Sequence, residues 1–379
     1  MFESFVNHHI FKSLTTSFYI SFLISLLICK FWKPKKVIVR YGSFHVESSG
    51  ASFFIALLCI APVVYIASVR YDTGIDYFSY VGIYNDVSTR FSLSLIFSYY
   101  QEPMNVIMYY LSFKVFGSEI GMFFLYSFIT MVFIIRGVGN FAKELSVGMA
   151  MFVFYMTLYH FSYNGMRQML ATAIVFYAFK YILNKKFWYY LILVIFAALF
   201  HKSALLAIIF YYLCPSNQKI HNKVKNALFY VGITLTPLIV PLVAKLLLSV
   251  MSLFGIYEKY ATMDRQQDVY FLLYIIPVLV VVLLYSRSII KENFRYDFLI
   301  KLMFLQIPLQ YMGYYISYFD RMSVYASMSQ VLLVPILLKN VRNRREKLLV
   351  TFGIVLWYLF YYIVMFIILK SNGVYPYRD

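Results

Sequence analysis

Residues 147–184 read VGMAMFVFYMTLYHFSYNGMRQMLATAIVFYAFKYILN, two apolar runs joined by a short polar turn. Each run, 147–163 and 168–184, is about 17 residues or roughly 26 Å of helix, close to the ~30 Å hydrocarbon thickness of a bilayer. Between His160 and Lys180 the sole charged side chain is Arg167, at the junction of the two runs. A helix satisfies its own backbone and can face lipid, whereas a guanidinium at that depth is costly and therefore marks function.

The rest of the chain repeats this pattern. Of its 379 residues 62% are hydrophobic, and the mean hydropathy is +0.72, more apolar surface than one globular core could hide. Further apolar runs near 16–32, 50–69, 119–136, 226–250, 269–286, 298–316, 322–338 and 348–369 read as membrane helices. Stretch 103–117, about 15 residues or roughly 22 Å of helix, reads as re-entrant or interfacial. Stretch 187–213 is interrupted by His201-Lys202, and a hairpin broken there keeps the basic loops on either side of it on one face. The expectation is an all-α, polytopic transmembrane bundle of about ten to twelve helices, with broken or re-entrant segments. Residues 1–379 form a single integral membrane domain in this reading, with an outer-face loop at 70–102.

The formal charge of +18 does not indicate nucleic acid, because the bases sit between apolar runs rather than on one fold face. Loops at 30–40, 180–186, 214–225, 287–295 and 339–347 carry Lys and Arg, including Lys219, Arg342, Arg344, Arg345 and Lys347, and are placed in the cytoplasm. The acids Asp72, Asp76, Asp86, Glu102, Glu258, Asp264, Asp268 and Asp320 fall in the remaining loops, which then face outward. The lysines at 30, 33, 35 and 36 follow the first apolar run, the reverse of a cleavable signal peptide, so that run is expected to stay as an anchor. Cys29, Cys59 and Cys214 offer neither a disulfide framework nor a zinc spacing.

Ionisable and hydrogen-bonding residues gather at outward helix ends. Arg70, Asp72, Gly74, Asp76 and Tyr77 follow the second run, with Glu102 opening stretch 103–117. In Asn164-Gly165-Met166-Arg167-Gln168, a planar fork of donors sits at a helix N-terminus, a combination suited to phosphate oxygens. His201-Lys202-Ser203 places an imidazole that can take a proton from a sugar hydroxyl beside a cation. Asp320-Arg321 adds a further acid and base. Each has a plainer reading: capping for the loop at 70–76, headgroup snorkelling for Arg167, packing for His201, mutual pairing for Asp320 and Arg321. No Asp-any-Asp pair, glycine-rich phosphate loop or His-Glu-any-any-His helix occurs, so cytosolic nucleotide chemistry, a metal site and a cofactor are not expected.

The order of these pieces resembles the EpsG-like branch of the Wzy-type O-antigen and exopolysaccharide polymerases. The resemblance rests on Gly74-Ile75-Asp76-Tyr77 with Tyr80, Glu102-Pro103, Asn164 to Ala171, and Phe200-His201-Lys202-Ser203-Ala204. Asp320-Arg321 and Tyr375-Pro376-Tyr377-Arg378 add to it, and it covers about residue 50 onward. It implies a GT-C-like, metal-independent glycosyltransferase joining undecaprenyl-pyrophosphate-linked oligosaccharides at the periplasmic or outer face of a bacterial cytoplasmic membrane. Membrane lipids and a chain-length regulator are the further partners it implies. On that reading His201 is the base, and Asp76 and Glu102 serve sugar hydroxyls or orient His201. Arg167 and Arg321, with Arg70, Lys202, Asn164, Gln168 and Asp320, hold the pyrophosphate and sugars. Two other classes share the size and hydrophobicity. A lipid-linked oligosaccharide flippase would spread its charges through a central cavity, often in repeated halves. A membrane O-acyltransferase would need an acyl-donor site.

Overall fold

The computed structural model describes residues 2–32, 35–41, 44–50, 53–98, 102–215, 223–253 and 270–377. Lys219, Glu258, Asp264, Asp268 and Arg378 lie outside them. The chain is a helical bundle, with four helices long and apolar enough to cross a membrane among the described residues: Glu119–Gly139, Thr236–Leu253, Phe319–Asn340 and Arg344–Ile368. Shorter apolar helices include Phe53–Ser68, Val147–Thr157 and Phe187–Ala198. One departure from the all-α expectation is an antiparallel pair, β1 (Lys35–Tyr41) and β2 (Phe44–Gly50), where the β-branched run Val37-Ile38-Val39 favours extended backbone.

The chain forms two compact units, the first comprising residues 1–181, 187–205 and 355–379 and the second 182–186 and 206–354. In the first unit α1 (Phe2–Cys29), α2 (Phe53–Ser68), α3 (Tyr77–Arg90), α4 (Leu93–Ser98), α5 (Pro103–Phe116) and α6 (Glu119–Gly139) come in order. They are followed by α7 (Val147–Thr157), α8 (Phe161–Asn164), α9 (Met166–Leu183) and α10 (Phe187–Ala198). Helix α2 packs on α1 and α6, and α5 on α6. Pro62 interrupts the hydrogen-bond ladder of α2, and neighbours donate to carbonyls of that helix. The Ser25 hydroxyl bonds Cys59 O at 2.5 Å and the Tyr159 hydroxyl bonds Val63 O at 2.8 Å. Phe22 stacks on Tyr155 with ring centroids 4.9 Å apart, so this core is largely aromatic.

The segment 70–102, expected as a loop, contains α3 and α4. Its charges conceal a helical face: Tyr77, Tyr80, Ile83, Tyr84 and Val87 recur at helix spacing and are buried, while Asp86 and Arg90 pair on the exposed side at 3.2 Å. Stretch 103–117 forms α5, which Pro103 opens and Gly117, at φ +65°, closes. In 187–213, α10 stops at Ala198, residues 199–201 carry the break, and a 3₁₀ turn follows from Lys202 to Ile209.

In the second unit the run at 226–250 is not one helix. It divides into α11 (Lys223–Thr234) and α12 (Thr236–Leu253) at Leu235. Pro237 has no N–H for the carbonyl four residues back, so the hydrogen-bond ladder is interrupted where the two helices meet. Helices Asp297–Met312 and Ser323–Asn340 pack side by side. Ser323 donates to Gln310 Oε1 at 2.8 Å and Ser327 to Gln306 Oε1 at 2.9 Å, while Lys301 pairs with Asp297 at 2.7 Å.

Candidate active site

The turn that presents Arg167 is built by contacts from three other segments. Between α8 and α9, Gly165 is compressed against Phe161, whose ring carbon would stand 2.3 Å from an added Cβ. The Tyr80 hydroxyl, from α3, donates to Asn164 O at 2.6 Å and accepts from Met166 N–H at 3.1 Å, so it satisfies a donor at the start of α9 that the helix itself cannot. Gly74, at φ +96°, lies so close to this turn that a Cβ would stand 2.7 Å from Tyr163 O, a contact and a backbone conformation that only glycine fits. Its N–H bonds Gly373 O at 2.9 Å, which ties the segment near the C-terminus to the same place.

Arg70 lies behind that turn, 4% exposed. Its Nη1 donates to Tyr163 O at 3.2 Å, and its guanidinium carbon sits 4.1 Å and 4.7 Å from the ring centroids of Phe123 and Tyr163. Those contacts lock the loop after α2 onto α6 and α8. Asp76 occupies the N-cap position of α3, half-buried, without a side-chain capping bond.

Arg167 reaches the residue that opens α5. Its Nη1 is 2.7 Å from Glu102 Oε2, with the arginine side chain 25% and the glutamate side chain 10% exposed. Glu102 Oε2 also accepts from Asn105 Nδ2 at 3.0 Å, and Oε1 faces the Lys202 N–H at 3.4 Å. Burial raises the Glu102 carboxyl above the ordinary carboxylate value, while Arg167, the Lys202 N–H and charge, and the Asn105 amide pull it back. Met104 N–H bonds Leu199 O at 3.2 Å, so the start of α5 and the break after α10 are joined by backbone as well. On the break itself, His201 Nδ1 lies 2.5 Å from Ser203 Oγ.

Arg70, Asp76, Glu102, Asn164, Arg167, Gln168, His201 and Lys202 thus all belong to the first unit. The Glu102 carboxylate contacts Arg167 and the Lys202 backbone, and Asn164 and Gln168 are buried beside Arg167 along the chain. Asp320 and Arg321 belong to the second unit, in the 3₁₀ turn Phe319–Met322, where the Arg321 guanidinium carbon lies 4.5 Å from the Tyr318 ring centroid. Sequence reasoning passed over Asn105 and Tyr126. The signal for Asn105 was present: a polar side chain three residues after Glu102, on the same helical face, in an apolar stretch.

A family model for the EpsG family matches residues 53–378, an interval that contains this whole constellation. The chain belongs to the EpsG family. No curated protein and no solved structure matches it. Membership in the EpsG family brings a membrane polysaccharide-polymerase-like role, which agrees with the apolar helices of the bundle.

Proposed function

We propose that this EpsG-family chain is a glycosyltransferase that polymerises undecaprenyl-pyrophosphate-linked oligosaccharide repeats at the outer face of the bacterial cytoplasmic membrane. In such a transfer the acceptor hydroxyl attacks the anomeric carbon of the donor's first sugar. The bond from that carbon to the pyrophosphate oxygen breaks, and lipid pyrophosphate leaves as a stable anion. The protein then has to hold that anion, place the acceptor and take one proton.

The observation that carries this reading is the Arg167–Glu102 pair with His201 and Lys202 on the adjoining break. A guanidinium already ordered through one nitrogen loses less freedom when it meets a phosphate. Arg167 and Lys202 supply positive charge to the leaving group, and His201 takes the acceptor proton. Asp76, Asn164 and Gln168 are assigned to sugar hydroxyls. Glu102 serves by aiming Arg167, and Arg70, enclosed between aromatic rings, serves by holding the turn. Chain growth from purified lipid-linked repeats in detergent, where there is no bilayer to cross, tests the proposal and separates it from transport.

A further inference from the structure

Asn105 lies in the first turn of α5 and is 2% exposed. Its Nδ2 donates to Glu102 Oε2 at 3.0 Å and to Phe200 O at 2.8 Å, and its Oδ1 accepts from the Tyr126 hydroxyl of α6 at 2.9 Å. The opposite amide orientation would set oxygen against oxygen at both the carboxylate and the Phe200 carbonyl, so the chemistry of its partners fixes which end faces where. Packing alone does not demand this arrangement, since a leucine has a similar shape and no polar group to satisfy.

We propose that Asn105 is a positioning residue: it donates to the Glu102 carboxyl that meets Arg167 and pins the break that carries His201, so that one amide supports the charge and sets the spacing of the site. The use of that arrangement in catalysis rests on the polymerase reading above, whereas the charge-holding role does not.

The physical basis is the number of donors on a buried carboxylate. Hydrogen bonds to the charged form of an acid favour that form, and burial opposes it. The groups that face Glu102 are Arg167 from α9, Lys202 from the 3₁₀ turn, and Asn105 and Tyr109 from α5 itself. Of these, Arg167 at 2.7 Å and Asn105 at 3.0 Å are the closest donors, and the Lys202 N–H at 3.4 Å and the Lys202 charge add to them. Without the amide, Oε2 retains the guanidinium alone and Phe200 O loses its Nδ2 donor. The carboxyl then titrates at higher pH, and the segment bearing His201 is no longer pinned to α5.

The test is an infrared titration of the full-length protein in detergent, with the Glu102 carboxyl band identified by its loss in Glu102→Gln. Asn105→Leu should raise the midpoint of that band by up to about one pH unit, a factor of ten in the proton equilibrium. Tyr126→Phe, which keeps the amide but frees its orientation, should raise it by less in the same direction, and it decides the matter should Asn105→Leu fail to fold. The acid limb of polymer formation should move upward with the band. Bands that titrate with the wild type in both variants overturn the proposal. A shifted band in a protein whose wild type makes no polymer supports the charge-holding role and counts against the polymerase reading alone.

Discussion

Arg167 Nη1 and Glu102 Oε2 lie 2.7 Å apart although 65 residues separate them in the sequence. The pair joins the N-terminal end of α9 to that of α5, where the Tyr80 hydroxyl holds the Met166 N–H and Leu199 O holds the Met104 N–H. Two such N-termini together with a cation favour negative charge nearby.

Breaking this pair should cost stability in a way that a double-mutant cycle resolves. Glu102→Gln and Arg167→Gln each leave a partly buried partner uncompensated, and the double variant removes both charges. Because Arg167 is 25% exposed, solvent weakens the pair below a fully buried one. A coupling energy of about 1 to 3 kcal/mol is expected from thermal unfolding in detergent. Strict additivity of the two single variants would show the pair to be incidental.

Tyr80→Phe removes one oxygen and leaves Asn164 O and Met166 N–H without their partner. Buried backbone groups left this way cost about 1 to 3 kcal/mol each. The expected result is a protein that still inserts, unfolds at lower temperature and has impaired activity, because the turn that aims Arg167 is loosened. Wild-type stability and rate would place the hydroxyl outside the machinery.

How much of this was legible beforehand follows from which contacts are local. The helix that carries Arg167 could be read from apolar run length, whereas the run before it, 147–163, divides at 158–160 into α7 and α8; the short polar motifs could be read one by one. Their assembly could not: Tyr80 to Asn164, Arg167 to Glu102 and Asn105 to Phe200 are pairings across 65 to 95 residues. Helix α3 was hidden because its buried face is made of tyrosines among charged neighbours, so low mean hydropathy masked a clear period. Lys301 sits in the run 298–316 read as a membrane helix, where its pairing at 2.7 Å with Asp297, one residue before that run, makes it tolerable. The division of 226–250 was signalled by Pro237, which a reading by apolar run length overlooks.

His201→Ala should leave an inserted, folded protein with polymer formation reduced about 10² to 10⁴-fold, the usual cost of removing a general base. Rates are read as ladder growth per enzyme after membrane insertion is confirmed. A folded His201→Ala variant with normal turnover would make the imidazole a packing group beside Ser203.

Lysine substitutions distinguish a positioned guanidinium from a cation at the headgroups. Arg167→Lys keeps the charge but loses the bidentate fork, so it should impair polymer formation nearly as much as alanine does. Charge-assisted bonds of this kind contribute roughly 1.5 to 3 kcal/mol each, about one to two orders of magnitude in rate. Near-normal ladders from Arg167→Lys would remove the fork from the mechanism.

The decisive assay incubates the purified chain in detergent with undecaprenyl-pyrophosphate-linked repeat units and no nucleotide sugar, and separates the products by size. The account predicts a ladder that lengthens with time, releases one undecaprenyl pyrophosphate for each linkage formed, and is lost in Arg167→Ala. Lipid-linked repeats that remain single units, with folded wild-type protein present throughout, would contradict it.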